Sequence, residues 1–181
     1  MKFFKYLFIA VITLGLIGGA GYLLASSGIK SNPGYVKLVL PSSNSASAQV
    51  AVDLGPNGVR PIRWFIQRIA DDPERNLELP ERLFMGVLDE LQGVQLRVYE
   101  VQGNREIFEQ AINKSAAALT QQGWETLVKV RENNERVVIM QSVDQDQIAG
   151  ISLLVSTPEN AVFTNLMGPF NPESLAEIAN R

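Results

Sequence analysis

The side chains available for chemistry are few, because the 181-residue chain has no histidine and no cysteine. That removes most protein zinc sites, iron–sulfur and haem ligation, thiol nucleophiles and the Ser-His-Asp and Cys-His triads. Carboxylate, lysine, tyrosine and Ser-Lys chemistry remain, and no spacing groups those residues into a constellation. Asp53 with a glutamate from elsewhere would serve as the paired acids of a hydrolase only if the fold set the two about 5–10 Å apart. Asp144-Gln-Asp146 alternates acids as a calcium loop does, but the further ligands and the loop glycine are missing, so turn chemistry accounts for it. Gly55-Pro-Asn-Gly58 lacks the Lys-Ser/Thr ending of a phosphate loop. No cofactor or metal site is expected, and the chain reads as a binder before a catalyst.

Four residues form the best candidate binding surface: Arg97, Tyr99, Lys129 and Arg131. In Val94–Val101, Val94, Leu96 and Val98 point one way and Gln95, Arg97 and Tyr99 the other, because strand side chains alternate. In the next strand Lys129 and Arg131 share a parity. If the two strands are neighbours, these side chains gather on one open sheet face and bind an acidic group on a partner or an anionic envelope component. The competing reading is a solvated face balanced by Glu100, Glu125, Glu132 and Glu135. Arg60, Arg63 and Arg68 around Trp64 and Phe65 have the composition of an interface hot spot. Packing of Trp64 into the core, with the arginines in solvent, is the expectation there. Trp124, after Gly123, is expected to plug the core where helix passes to strand.

The elements that must position these residues are legible as periodicities. Val94–Val101 and Glu125–Arg131 alternate. Turns at Asn133-Asn134, Asp144–Gln147 and Pro158–Asn160 then connect strands at Arg136–Gln141, Ala149–Ser156 and Ala161–Met167. Tyr35–Leu40 and Gln49–Leu54 read as shorter strands. Helices are expected from Pro61 (Ile62, Phe65, Ile66 and Ile69 inward) and from Pro80 (Leu83, Phe84, Val87, Leu88 and Leu91). A third follows Asn104 (Phe108, Ala111, Ile112, Ser115 and Leu119, stopped by Gly123), and a short one follows Asn171-Pro172. The fold class is α+β: an antiparallel meander sheet with helices packed on one face, preceded by an N-terminal transmembrane or signal helix.

Lys2 and Lys5 precede an uncharged stretch from Tyr6 to Ile29, and residues 6–25 reach the roughly 20 apolar residues that span a ~30 Å hydrocarbon core. The N-terminal lysines favour a cytoplasmic N-terminus, so the rest of the chain is expected outside the cytoplasmic membrane. Cleavage near Ser27 is the alternative, giving a secreted or periplasmic protein. The expected organisation is a signal anchor or signal peptide over 1–27, a linker with a possible short strand over 28–48, and one extracytoplasmic domain over 49–181. With 16 Lys+Arg against 19 Asp+Glu and no long basic run, nucleic acid is not an expected partner. The expected contacts are the membrane and an envelope protein.

Gly93-Val-Gln-Leu-Arg-Val-Tyr-Glu100 and Gly123-Trp124 leading into Glu125–Arg131 recur in a known order. They are followed by Glu135-Arg-Val-Val-Ile, Ile148-Ala-Gly-Ile-Ser-Leu-Leu-Val155 and Ala161-Val-Phe-Thr-Asn-Leu-Met-Gly168. In that order the chain from about Gln49 onward resembles a family of small exported bacterial proteins known only as a domain of unknown function. The resemblance implies an envelope location and an α+β fold, and supplies no catalytic residues. The function expected is that of a non-catalytic interaction or accessory module of the envelope. The alternatives are a binding protein for a small apolar or amphipathic ligand, and a carboxylate-dependent hydrolase.

Overall fold

The computed structural model describes residues 28–42, 46–61, 64, 89–101, 103, 105–132 and 134–172. Six strands form one antiparallel sheet: β1 (Val50–Leu54), β2 (Gly93–Glu100), β3 (Glu125–Glu132), β4 (Glu135–Asp144), β5 (Gln147–Ser156) and β6 (Asn160–Phe170). Their order across the sheet is β1-β2-β6-β5-β4-β3. Strands β3 to β6 are therefore the expected meander, each paired with the next, and β2 pairs with β6 rather than with β3.

The turns follow from the residues at their tips. Asp144 pairs with Gln147, leaving a two-residue loop in which Gln145 and Asp146 both have positive φ (49° and 65°). That is the primed geometry whose twist matches a hairpin, so the acidic pair at 144 and 146 sits in a turn. Thr157 closes the next hairpin by accepting the amides of Glu159 and Asn160 on its Oγ1.

One long helix, α1 (Arg105–Gln121), lies on the sheet with Phe108, Ala111, Ile112, Ser115 and Leu119 buried, the set expected from its spacing. Its end is built by Gly123, at φ 84°. The Gly123 amide donates to the Thr120 carbonyl and the Trp124 amide to Leu119, the paired bonds of a Schellman cap. Trp124 is buried against the same core, as expected. Phe163, Leu154, Val138 and Met140 face the helix from the sheet. Full burial of each such side chain contributes roughly 1.5–3 kcal/mol.

Two expectations are corrected. Tyr35–Leu40 forms no strand, and the stretch over 28–40 is a packed part of the domain rather than a linker. Ile29 and Val36 are buried, and Leu38 and Leu40 pack against the helix-side core. The alternation survives without a sheet partner because the Val39 amide and carbonyl are both bonded to the Ser115 hydroxyl of α1, each at 3.0 Å. Nor is apolar packing confined to one face. Val52, Val94, Leu96 and Val98 form a second cluster on the opposite face with Val59, from the helical turn over 56–61, and Leu91. Most of the expected helices from Pro61 and Pro80 and of the C-terminal helix lie outside the described residues, as do the expected span over 6–25 and the Asn104 cap. Among the described residues no helix is long and apolar enough to cross a membrane.

Candidate functional site

Antiparallel register places side chains in rows across the sheet, and the helix-side rows end in a cleft. One row runs Asp53, Gln95, Asn165, Ser152, Met140, four of its members polar. The next runs Ala51, Arg97, Phe163, Leu154, Val138, Lys129. Over the polar end of the first row lies the stretch 28–40. Its position is set by a backbone approach that only glycine permits. A Cβ on Gly34 would sit 1.9 Å from the Ala149 carbonyl oxygen, where the β5–β6 register shifts between Ile148 and Gly150. The buried Asn165 Nδ2 donates to the Gly34 carbonyl at 3.0 Å, and Asn32 Nδ2 donates to Gln92 Oε1 at 3.2 Å.

Between this stretch and the β1–β2 edge is a cleft of about 590 Å³. Lys30, Lys37, Asp53, Gln95 and Arg97 supply its polar wall and Leu38 and Leu40 its apolar one. Arg97 is held in place: Nη1 donates to the Val52 and Leu96 carbonyls at 2.9 and 2.8 Å, and Nη2 pairs with Asp53. Asp53 thereby compensates the Arg97 charge, and it is the one carboxylate on the described wall. A hydrolytic pair of acids is not assembled there. Lys30 and Lys37 are exposed, with no ion-pair partner among the described residues.

The four residues singled out from strand parity do share one sheet face, and the structure does not bring them together. Arg97 and Lys129 stand in the same row with Phe163, Leu154 and Val138 between them. Four inter-strand steps of 4.7–4.9 Å separate them by roughly 19 Å. Tyr99 is buried in the core, its ring 5.5 Å from that of Phe108 and 5.8 Å from Phe163. Burial pushes its hydroxyl pKa up, against a smaller opposing pull from the Arg97 charge, so it stays neutral. Lys129 and Arg131 lie on the exposed edge strand β3. Only Arg97 belongs to the cleft. Sequence reading missed Lys37 and Gln95, and weighed Lys30 and Asp53 for other roles; their convergence depends on the docking of 28–40, which no periodicity encodes. Trp64 is a further correction, being 64% exposed. On a helix it lies about 100° from the neighbouring Phe65 position, off the stripe expected to face the core.

A family model for a domain of unknown function, DUF4252, matches residues 62–178. The chain belongs to the DUF4252 family. The matched stretch of the DUF4252 domain includes α1 and strands β2 to β6, so Gln95 and Arg97 fall inside it and Lys30, Lys37 and Asp53 precede it. No curated protein and no solved structure matches the chain.

The DUF4252 domain carries a second polar cluster, at the other end of the sheet. Glu109 of α1 accepts from Arg105 Nη2 and Arg136 Nη1, each at 3.0 Å, with Arg131 3.9 Å away. Arg136 is buried and also donates to Asn113 Oδ1 at 2.7 Å. Burial pushes the Glu109 carboxyl pKa up, but the hydrogen bonds from Arg136 and Arg105 and the charges of Arg136 and Arg131 together outweigh it and hold it below the ordinary glutamate value. Glu109 bridges Arg105 of its own helix and Arg136 of β4 and so fastens α1 to the sheet, which makes the cluster a clamp.

Proposed function

We propose that this protein is a membrane-anchored, extracytoplasmic module that acts by binding, with the cleft between residues 28–40 and the β1–β2 edge as its binding site. The observation that carries the reading is the construction of the cleft. Its wall begins at Gly28, directly after the apolar stretch, and combines two exposed lysines with a leucine-lined floor. Such a mixture suits a small amphipathic ligand, and the volume falls within the usual range for small-molecule sites. Among the described residues the polar cluster around Glu109, at the other end of the sheet, is spent on fastening the fold.

The absence of native cysteine makes the anchoring half simple to test. A Lys114→Cys variant of the full chain places one thiol on the exposed face of α1. A membrane-impermeant maleimide is expected to label it in osmotically opened, unlysed cells, with the protein resisting carbonate extraction. Labelling only after lysis overturns the extracytoplasmic placement. Native mass spectrometry of the full-length protein from mild detergent tests the binding half. A retained small amphipath, lost in a Leu38→Asp variant, is the expected result, and a bare protein in both cases counts against the cleft.

A further inference from the structure

We infer that the cleft receives the phosphate headgroup of an anionic phospholipid from the bilayer that holds the domain. The inference deepens the binding role proposed above and rests on its anchoring. Only Ser26 and Ser27 separate Ala25, the end of the expected span, from Gly28 on the cleft wall. Three residues reach at most about 10 Å, and the headgroup layer outside the hydrocarbon is itself about 5–8 Å thick. The wall therefore begins at headgroup depth or just above it.

The wall is also fixed to the domain. Ile29 is buried, Asn32 is bonded to Gln92, and Gly34 is bonded to Asn165 and seated against Ala149. Lys30 and Lys37 therefore belong to the folded surface of the domain instead of trailing on a tether.

Charge selects the ligand. The whole chain has a net charge of -3, yet the described charged residues of the cleft are Lys30, Lys37 and Arg97 against one acid, Asp53. Because Asp53 pairs with Arg97, Lys30 and Lys37 are the cations on the described wall that face an anion, and ammonium groups serve as point-charge phosphate binders. Leu38 and Leu40 line the same space, where the glycerol and first acyl carbons would follow the phosphate. A zwitterionic headgroup would bring its own cation to this site and gain less.

The test uses the full-length protein reconstituted in vesicles of phosphatidylcholine containing 30% phosphatidylglycerol, with a trace of either lipid in photoreactive form, and crosslinks mapped by peptide mass spectrometry. The expected result is a phosphatidylglycerol crosslink within residues 30–40 or 95–97, at least tenfold above that of phosphatidylcholine. Each cation near an anionic surface contributes about fivefold in binding. The Lys30→Gln/Lys37→Gln variant is therefore expected to weaken recognition roughly thirtyfold and to bring the yield down to the phosphatidylcholine level, with an unchanged melting profile. The Lys129→Gln/Arg131→Gln variant, altered at the far edge of the sheet, is expected to crosslink like the parent. Equal crosslinking by both lipids in protein that resists carbonate extraction overturns the lipid inference and leaves the anchoring intact. Protein extracted by carbonate overturns the anchoring itself. Loss of the crosslink on adding free glycerol phosphate assigns the site to a soluble anion and likewise overturns the inference.

Discussion

Replacing Gly34 with alanine isolates the contact that builds the cleft. The added Cβ would lie 1.9 Å from the Ala149 oxygen, 2.6 Å from its carbonyl carbon and 2.9 Å from the Gly150 Cα, all backbone atoms without a rotamer to move. Relief requires the two chains to part by more than about 1 Å, and overpacking of that kind costs about 1–3 kcal/mol. The same movement stretches the 3.0 Å bond from Asn165 Nδ2 to the Gly34 carbonyl beyond hydrogen-bonding range. Asn165 is fully buried and its Oδ1 already has no partner, so losing this bond adds about 1–3 kcal/mol. The expected destabilisation is about 2–6 kcal/mol, a large share of the roughly 5–15 kcal/mol that holds a domain together. Urea unfolding of the full-length protein in mild detergent, followed by tryptophan fluorescence, should show the midpoint falling by about 1–2 M. Trypsin should also gain cleavage after Lys30 and Lys37 at urea concentrations where the parent resists. Gly103→Ala is the control: Gly103 has φ 74° with nothing within 4 Å of an added Cβ, so it bears only backbone strain of about 1–2 kcal/mol. A Gly34→Ala protein with parental midpoint and parental tryptic resistance would refute the close seating of 28–40 on the sheet.

Two further outcomes follow from the clamp and the turns. Because the Glu109 pKa is lowered on folding, its stabilisation is fully present above the unfolded glutamate value and is lost as pH falls through the folded one. On acidification below the ordinary glutamate value the parent should lose stability more steeply than Glu109→Gln, and parallel pH profiles of the unfolding midpoint would count against the clamp. At the β4–β5 hairpin, Gln145→Asn with Asp146→Gly places the residues that positive φ favours, and should raise stability by about 1 kcal/mol in the same denaturation assay.

Local regularity was readable and long-range docking was not. Strands β2 to β6 announce themselves by alternation between turn residues, and α1 by its apolar spacing and the Gly123-Trp124 ending, because those signals are set by neighbours within a few residues. Tyr35–Leu40 is β-rich and bounded by turn residues like a strand, but the Val39 backbone pairs with the Ser115 hydroxyl and not with a sheet, so composition gave the element wrongly. Pairing of β2 with β6 left Arg97 and Lys129 in one row and far apart, since parity fixes the face of a side chain and says nothing of which strands adjoin. Of the cleft, Arg97 was chosen from its strand position. Lys37 acquires its place only when Gly34 seats against Ala149, a contact between residues too plain to draw notice.

The bond between Asn165 and Gly34 joins positions 131 residues apart, nearly the full length of the domain. Helix α1 and the β3–β6 meander are closed by short loops and can form early, but β6 must be in place before anything can receive the N-terminal stretch. The first described residues of the chain thus find their seat on a strand that is synthesised near its end. A chain halted before Asn165 would lack the partner that seats Gly34, so completion of β6 is the event that closes the cleft.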